Sequence, residues 1–436
     1  MTLQAPAPPP AALAASPAAP PAFLRALFET AVAAADPMRT VAPALPPRPS
    51  GRVVVIGAGK ASARMAEALE AAWGPCEGLV ITRYGHARPC AGIEIVEAAH
   101  PVPDAAGEVA TRRVMRLLEG LGEEDLVLAL ISGGGSSLLV QPAGQITLED
   151  KRLVTSGLLA SGAPIGEMNG IRKELSAVKG GRLAAAAFPA RVLALLISDV
   201  PGDDPADIAS GPTVGHRGDA ARALAALARW GVVPPPSVQS FLEAGGDPVR
   251  PDDPRLARVE NVVIAAPALS LEAAAEAARG AGCAVEILGD ALEGEARELA
   301  AAHADLARAR QAAMAPGDPP LLLLSGGECT VTRRGDGIGG PNAEYALSLA
   351  VALDGAGGID AIACDTDGVD GAAEVAGAVI GPDTLAEAER LGCDPGRALA
   401  ANDSHGFFAA LGAQVVPGPT LTNVNDFRAI LIRPLP

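Results

Sequence analysis

Fully apolar runs alternate along the chain with segments of helical spacing. The runs 53–57 (VVVIG), 125–132 (DLVLALIS) and 192–198 (VLALLIS) have almost no polar positions, and helical periodicity fills the intervals between them. Strands that are apolar on both faces are typical of a parallel sheet with helices packed on both sides. The pattern therefore predicts an α/β fold, Rossmann-like in its first half.

A second series of the same kind follows a stretch rich in Pro, Gly and Asp at 231–258. Because 436 residues exceed what one hydrophobic core holds, we expect two domains, each with a mostly parallel sheet covered by helices. The strands predicted for the second domain are 261–266, 284–289, 321–327, 359–368 and 428–432. The predicted divisions are a disordered tail over 1–21, an N-terminal domain over 22–240 and a C-terminal domain over 255–436.

The composition excludes several classes of function. A formal net charge of −17 opposes binding to a phosphate backbone, so we expect no nucleic-acid partner. No apolar run reaches the roughly 18–20 residues of a membrane span, and the Ala/Pro-rich start lacks the basic residues of a signal peptide. The six cysteines show no C-x-x-C pair and no zinc spacing, which is typical of reduced thiols in a cytoplasmic protein.

Lysine is scarce, and its scarcity makes the remaining lysines candidates for specific roles. The 34 basic residues include only four lysines, which are Lys60, Lys151, Lys173 and Lys179. Lys60 follows a predicted strand in 57–62 (GAGKAS), where Gly57 and Gly59 permit a tight turn into a helix that favours an anion. The turn is neither a Walker A loop nor a complete G-x-G-x-x-G fingerprint, because Val54 and Ser62 occupy required glycine positions.

Two further loops run from an apolar strand into Ser-Gly-Gly. Consecutive glycines cost conformational entropy, and close approach of the backbone to a ligand is the simplest reason to keep them. The candidate binding residues of the first loop are Ser132, Gly133, Gly134, Gly135, Ser136 and Ser137. Those of the second loop, and of the helix start that follows it, are Ser325, Gly326, Gly327, Glu328, Asn342 and Glu344.

Clustered charges supply the remaining candidates. Arg172 and Lys179 are seven residues apart on a helix predicted over 169–187, where they could bind a carboxylate or a phosphate. Asp199 and Asp367 come just after apolar strands, at the sheet edge where ligands bind in open parallel sheets. Either aspartate could hold Mg²⁺ or accept a hydroxyl proton, and the sequence does not distinguish these roles.

Each feature alone also has a structural interpretation as a polar turn, a connector or a solvated basic face. Several glycine loops, few cations and strand-end aspartates occurring together indicate Mg²⁺-nucleotide chemistry, in which positioning and charge neutralisation do the catalytic work.

The motifs, taken in order, resemble the glycerate 2-kinases of the MOFRL type from about residue 22 onward. The segments that carry the resemblance are GAGKAS, HPVPD (100–104), SGGGSSLL, IRKELSAVKGGRLA, SDVPGDDPADIASGPT, SGGECTVT, GGPNAEYALSLA, DTDGVDG and TNVNDFRAILI. The resemblance implies transfer of the γ-phosphoryl group of ATP to the 2-hydroxyl of D-glycerate with a divalent metal. It also implies two α/β domains with the active site in the cleft between them.

The family's lysine and arginine fall on Lys60 and Arg172, and with Asp199 these are the predicted catalytic residues. Two positions depart from the family pattern. Pro341 stands where many relatives have arginine in the GG-x-N motif, so Arg333 or Arg334 would have to supply that phosphate contact. Glu174 replaces a histidine.

Two other functions stay open at this point. An NAD(P)H-dependent hydroxypyruvate reductase needs a nicotinamide site, and the incomplete fingerprint at Gly57 argues against it. A non-catalytic sensor of sugar acids or nucleotides would leave the strand-end aspartates unexplained. The residue pattern separates neither 2- from 3-phosphoglycerate as the product nor a monomer from a homodimer.

Overall fold

The structure, a computed structural model, describes residues 2–3 and 15–435, apart from the side chains of residues 2, 3 and 165. The predicted disordered tail over 1–21 lies mainly outside the described residues, and its last two residues already belong to a helix. No described helix is both long enough and apolar enough to cross a lipid bilayer.

The strands and helices are numbered in chain order. The described strands are β1 (Thr2–Leu3), β2 (Val53–Ala58), β3 (Glu77–Arg83), β4 (Ile93–Ala98), β5 (Leu126–Ile131), β6 (Arg191–Ile197), β7 (Val259–Ala265), β8 (Ala284–Gly289), β9 (Gly294–Glu295), β10 (Leu321–Ser325), β11 (Cys329–Thr330), β12 (Ile359–Asp365), β13 (Gly377–Ile380), β14 (Gln414–Val415) and β15 (Asp426–Ile432). The described α-helices are α1 (Pro20–Ala34), α2 (Pro37–Ala44), α3 (Ser62–Trp73), α4 (Ala105–Leu117), α5 (Gly135–Leu138), α6 (Leu148–Ser161), α7 (Ile165–Glu174), α8 (Arg182–Ala186), α9 (Ala220–Arg229), α10 (Pro236–Glu243), α11 (Pro267–Gly280), α12 (Ala296–Ala312), α13 (Pro341–Leu353), α14 (Thr384–Leu391), α15 (Pro395–Ala401) and α16 (Ser404–Leu411).

The first compact unit contains residues 41–264 together with β1. Its sheet has the order β1-β7-β6-β5-β2-β3-β4, and β5, β2, β3 and their neighbours pair in parallel. Every residue of β2 and β5 is buried, as expected for strands covered by helices on both faces. The predicted parallel α/β sheet is therefore confirmed for this unit.

The second unit contains the described residues 15–40 and 265–435. Its six-stranded sheet has the order β14-β13-β12-β15-β10-β8, in which only β10 and β8 pair in parallel. The prediction of a second, mostly parallel sheet is therefore wrong. The reason is topological: no helix separates β12 from β13, so they pair antiparallel, and β15 returns between β10 and β12 in the opposite direction.

Two segments lie in a different unit from the one predicted. The strand predicted over 261–266 to open the second domain is β7 of the first sheet, where the Val192 nitrogen donates to the Arg258 oxygen. Helix α1, predicted within the first domain, buries Phe23, Leu27 and Phe28 in the core of the second unit. These apolar side chains pack with α11 and with one face of β10, β12 and β15, while α12 and α13 cover the other face.

Candidate active site

Two glycine-containing loops interlock at the carboxyl edge of the first sheet, where β2 and β5 are neighbours. The Lys60 nitrogen donates to the Gly133 oxygen at 2.8 Å. The Ser132 hydroxyl oxygen accepts from the Ala61 nitrogen at 3.0 Å and lies 3.2 Å from the Ser62 hydroxyl. A Cβ atom at Gly59 would overlap Ser132. The contacts hold the first loop, including Gly57 at the end of β2, against the second.

The side chains of Lys60 and His100 both lie against Gly134 of the triple-glycine loop. Gly134 has φ +77°, and a Cβ atom there would lie 2.9 Å from the His100 ring and 3.2 Å from Cγ of Lys60. A glycine is therefore needed for backbone conformation and for space. His100 belongs to the HPVPD motif, and no feature of the sequence predicts that it takes part in the site.

A buried lysine supports the same loop from within the protein. Nζ of Lys179 donates to the Ser136 oxygen at 2.6 Å and to the Leu139 oxygen at 3.4 Å. The Ser136 hydroxyl lies 2.7 Å from the Ser210 hydroxyl. Lys179 is only 2% exposed, and burial lowers its pKa well below the ordinary value. Predicted as a binding residue, Lys179 acts in the structure as a brace for the loop, whose Ser137 hydroxyl bonds internally to the Gly134 oxygen.

The segment after β6 completes this edge with a left-handed turn. Asp199 is half-buried just beyond the strand. Farther on, Ala209 and Ser210 have φ of 51° and 64°, which non-glycine residues rarely adopt. The Ser210 oxygen accepts from the Gly180 nitrogen at 3.2 Å. Strained backbone of this kind costs about 1–3 kcal/mol per residue and clusters at functional sites.

The helix predicted over 169–187 is interrupted, and the interruption changes where its cations lie. Helix α7 ends at Glu174 and α8 begins at Arg182, with Gly180 and Gly181 in positive-φ turns between them. Glu174 is 1% exposed, forms an ion pair with Arg182 at 3.5 Å and lies 3.5 Å from Nε2 of His216. Burial lowers the pKa of His216 to about 4, so its ring is neutral there at physiological pH.

Lys151, Arg172, Lys173 and Lys179 form a cluster of cations beneath this edge. Lys173 pairs with Asp207 at 3.2 Å. Among the described residues, neither Lys151 nor Arg172 has a hydrogen-bond partner or a carboxylate within 4.0 Å. Burial and the positive charge of Arg172 lower the pKa of Lys151 to about 8, and burial lowers that of Arg172. The scarcity of lysine makes Lys151 a candidate for a specific role, but no sequence pattern predicts its burial.

In the second unit, β10, β12 and β15 bring polar side chains to one edge. Arg428 donates to the Gly326 oxygen and to Sγ of Cys329, each at 2.8 Å, and so fixes the turn after the buried Ser325. Asn342 donates from Nδ2 to Oδ1 of Asp426 at 2.6 Å. Burial raises the pKa of Asp426 to about 6.

Three residues predicted to bind ligand differ greatly in exposure. Glu328, after Gly327, is exposed, whereas Asn342 is only 2% exposed. Glu344 is completely buried, and its carboxylate accepts from Arg297 at 2.6 Å and from Asn402 at 3.2 Å. The structure thus gives Glu344 an internal role. The sequence identifies the polar type of these residues but not the side of the helix that is covered.

The side chains of the described residues do not form a complete metal site by themselves. The described residues contain no group of three or more His, Cys, Asp or Glu side chains that could hold a metal ion. Nucleotide-bound Mg²⁺ needs only one or two carboxylates, since phosphates and waters supply the other ligands. Asp199 fits that requirement as a single strand-end carboxylate. Asp367 is 5% exposed and accepts from the Val369 nitrogen at 2.8 Å.

Pro341 is the first residue of α13, and the GG-x-N motif that contains it has no arginine. Of the two expected substitutes, Arg333 is exposed and donates to the Gly335 and Gly337 oxygens of its own loop, at 3.3 and 3.2 Å. Arg334 is also exposed. That substitution remains a prediction.

Comparison with known proteins places the chain in a family. Residues 23–243 match DUF4147, described as a domain of unknown function, and residues 321–426 match the MOFRL family. The D-glycerate 2-kinase of Thermotoga maritima is 39% identical over 403 residues, covering 92% of this chain and 95% of its own. The chain belongs to the MOFRL-type glycerate kinase family.

Solved structures of MOFRL-type glycerate kinases have the same fold. A crystal structure of the Thermotoga maritima glycerate kinase matches with a TM-score of 0.87 at 38% identity, covering 95% of this chain and 99% of that one. A protein of Agrobacterium vitis with the provisional name hydroxypyruvate reductase is 54% identical over 415 residues, 94% of each chain. Relatives within this family therefore carry two different activity names.

Proposed function

We propose that this chain is a D-glycerate 2-kinase, which transfers the γ-phosphoryl group of ATP to the 2-hydroxyl of D-glycerate. The observation that carries the proposal is the arrangement at Gly134, where the Lys60 and His100 side chains lie so close to the backbone that only glycine fits. A half-buried glycine backbone with a lysine beside it suits a phosphate group. Family membership, with relatives named as glycerate kinases, supports the same assignment.

The reaction forms a bond between the 2-hydroxyl oxygen of glycerate and the γ-phosphorus, and breaks the bond from that phosphorus to the β–γ bridging oxygen. ADP leaves with the bridging oxygen, and the hydroxyl proton passes to a carboxylate or to solvent. Lys60 neutralises charge on the transferred group, and the 132–137 loop positions it. A loose transition state needs no strong base, so Asp199 can act by orienting the hydroxyl.

A magnesium ion bound with the nucleotide would supply charge neutralisation at the phosphates. Either Asp199 or Asp367, each a carboxylate at the end of a strand, would hold it. Arg172 is assigned to an anionic group of the substrates, because its half-buried guanidinium has no acidic partner among the described residues. The cytoplasm supplies both ATP and a reducing environment for the six thiols, in agreement with a cytoplasmic enzyme.

Product analysis tests the proposal directly. Purified protein is incubated with D-glycerate, ATP and Mg²⁺, and the products are identified by ³¹P and ¹H NMR. We expect stoichiometric ADP and 2-phosphoglycerate. Formation of 3-phosphoglycerate would correct the position of transfer but retain the kinase.

The reductase deserves a parallel assay because of the name carried by the Agrobacterium vitis relative. NADH or NADPH absorbance is followed with hydroxypyruvate and without ATP. Nicotinamide oxidation together with no ADP formation from D-glycerate would replace the kinase by the reductase.

A further inference from the structure

The five cations around α6, α7 and α8 differ in what they contact. Arg182 donates to the Asp247, Lys173 and Lys179 backbone oxygens at 2.7–3.0 Å. Together with its pairing to Glu174, these contacts occupy its guanidinium.

Lys173 forms an ion pair with Asp207, and Lys179 donates to the backbone oxygens of Ser136 and Leu139. Lys151 and Arg172 lack any such partner among the residues described. Glu108 interacts electrostatically with Lys151 but lies beyond ion-pair distance. Lys151 and Arg172 are therefore neighbouring cations that form no ion pair with the described residues.

A buried ammonium without a counterion is expensive for the folded state. Lys151 is 91% buried, and the charges of Arg172 and Arg182 repel it. Charges of this kind are kept in proteins mainly where a ligand or a partner neutralises them. Arg172 is only half-buried, so an anion can reach the pair from its side.

Resting on the proposed function, we infer that Lys151 and Arg172 together bind the carboxylate of the acceptor substrate, and that Lys151 is a specificity-determining residue for hydroxy acids. Two single charges on separate helices suit a planar monoanion, with the arginine fork on one oxygen and the ammonium on the other. Phosphate groups have a different location, at Lys60 and the glycine loop. Helices α6 and α7 carry neither glycine loop.

Lys179 connects the two locations. Its ammonium interacts with Lys151 and Arg172 electrostatically, and it holds Ser136 of the glycine loop. A small acid with its carboxylate at Lys151 would thus have its hydroxyl end near the loop that positions the phosphoryl group. This separation of carboxylate and phosphate sites explains how a three-carbon acid is distinguished from a neutral polyol.

The test compares Lys151→Met, Lys151→Arg and the exposed-charge control Arg222→Gln, whose side chain is 76% exposed. We expect Lys151→Met to raise KM for D-glycerate about 10- to 100-fold, the range for losing a charged hydrogen bond. KM for ATP should change less than about twofold. Lys151→Arg should recover most of the affinity, and Arg222→Gln should match the wild type.

Thermal unfolding and direct binding separate this role from a structural one. Removing an uncompensated buried charge should leave the Tm of Lys151→Met equal to or above that of the wild type, whereas a structural lysine would lower it. Calorimetric titration with D-glycerate and with neutral D-glyceramide, both without ATP, should show a carboxylate preference that Lys151→Met abolishes.

Two results overturn the inference while leaving the kinase assignment intact: an unchanged KM for D-glycerate in Lys151→Met, or a rise confined to KM for ATP. The second result would assign the pair to a nucleotide phosphate. Absence of kinase activity in the wild type would instead reject the proposed function, and the titration arm would still report on the carboxylate site.

Discussion

Lys179 donates a 2.6 Å hydrogen bond from its buried ammonium to the backbone oxygen of Ser136, which ties the middle of the glycine loop to the turn after α7. The same ammonium reaches the Leu139 oxygen at the end of the loop. A residue predicted to contact ligand thus bonds to the backbone of the loop that we assign to the phosphate groups. Its effect on the reaction comes through the position of the loop.

We therefore expect Lys179→Met to lower kcat/KM by about 10- to 100-fold, because displacement of a positioning loop by an ångström is enough for a loss of that size. Steady-state kinetics with varied ATP and D-glycerate measure the effect. Arg222→Gln removes an equal charge from the surface of the same unit and serves as the control. Kinetic constants equal to those of the wild type would show that the brace is dispensable.

A substitution at Gly134 tests the close approach of the Lys60 and His100 side chains to the glycine loop. Gly134→Ala should reduce kcat at least about tenfold, since its Cβ would displace the His100 ring as well as strain a backbone at φ +77°. Gly162→Ala is the matched control: Gly162 has φ +73° at the end of α6, with no atom within 4 Å of the added Cβ. It should lose about 1 kcal/mol of stability and no activity. Equal kinetics in the two variants would contradict the crowding argument.

Lys60→Ala should lower kcat by at least about 100- to 1000-fold, the usual loss when one preorganised group that stabilises transition-state charge is removed. The fold should persist, because the loop contact at Gly133 is made by the Lys60 backbone. Circular dichroism and a Tm measurement check the fold. A variant that keeps near-wild-type turnover would remove Lys60 from phosphoryl transfer.

The pH dependence of stability reports on Lys151. Its folded pKa of about 8 lies below the ordinary 10.5 because of burial and the positive charges of Arg172 and Arg182, with Glu108 acting in the opposite direction. Between these pH values the unfolded chain binds more protons, so the free energy of unfolding rises with pH. The loss of stability caused by the buried charge of Lys151 is fully present below pH 8 and disappears toward pH 10.5.

Relative to Lys151→Met, the wild type should therefore gain on the order of 3 kcal/mol between pH 8 and pH 10.5. Denaturant unfolding of both proteins at several pH values measures this difference. A constant difference across that interval would show that Lys151 titrates normally.

Glu344 gives a prediction for the second unit. Removing its partner by Arg297→Met leaves a fully buried carboxylate uncompensated, which should cost about 3 kcal/mol or more. Arg390→Met, which breaks an exposed pair with Glu387, should cost less than about 1 kcal/mol. Chemical denaturation compares the two. If Arg297→Met is as stable as Arg390→Met but binds ATP weakly, Glu344 belongs to a binding surface after all.

The first sheet was predictable because local chemistry decides it: strands buried on both faces require continuous apolar runs, and β2, β5 and β6 have them. The second sheet was not. Its antiparallel order depends on where β13 and β15 insert into the sheet. An apolar run does not show whether its strand is parallel or antiparallel to its neighbours. Strand β13 has only four residues, which is too short for its sequence pattern to identify it as a strand.

Some features of the candidate site could likewise be predicted from the sequence, and others could not. The Lys60 turn and the glycine loop each consist of consecutive residues, so composition alone identifies them as candidate loops. Their contact with each other was not predicted, because Ala61 and Ser132 are 71 positions apart in the chain. The roles of Lys151 and Glu344 depend on which residues far along the chain cover them. Sequence alone selected both as polar residues of interest, but burial is a property of the packed structure.

The position of α1 has a consequence for biosynthesis. This helix packs against β15, almost four hundred residues later in the chain, and the first unit, apart from β1, lies between them. During translation β2 to β7 leave the ribosome before any other part of the second unit, so α1 has none of its native packing partners while they are made. The nascent chain thus leaves the phenylalanines of α1 uncovered until the second unit is synthesised.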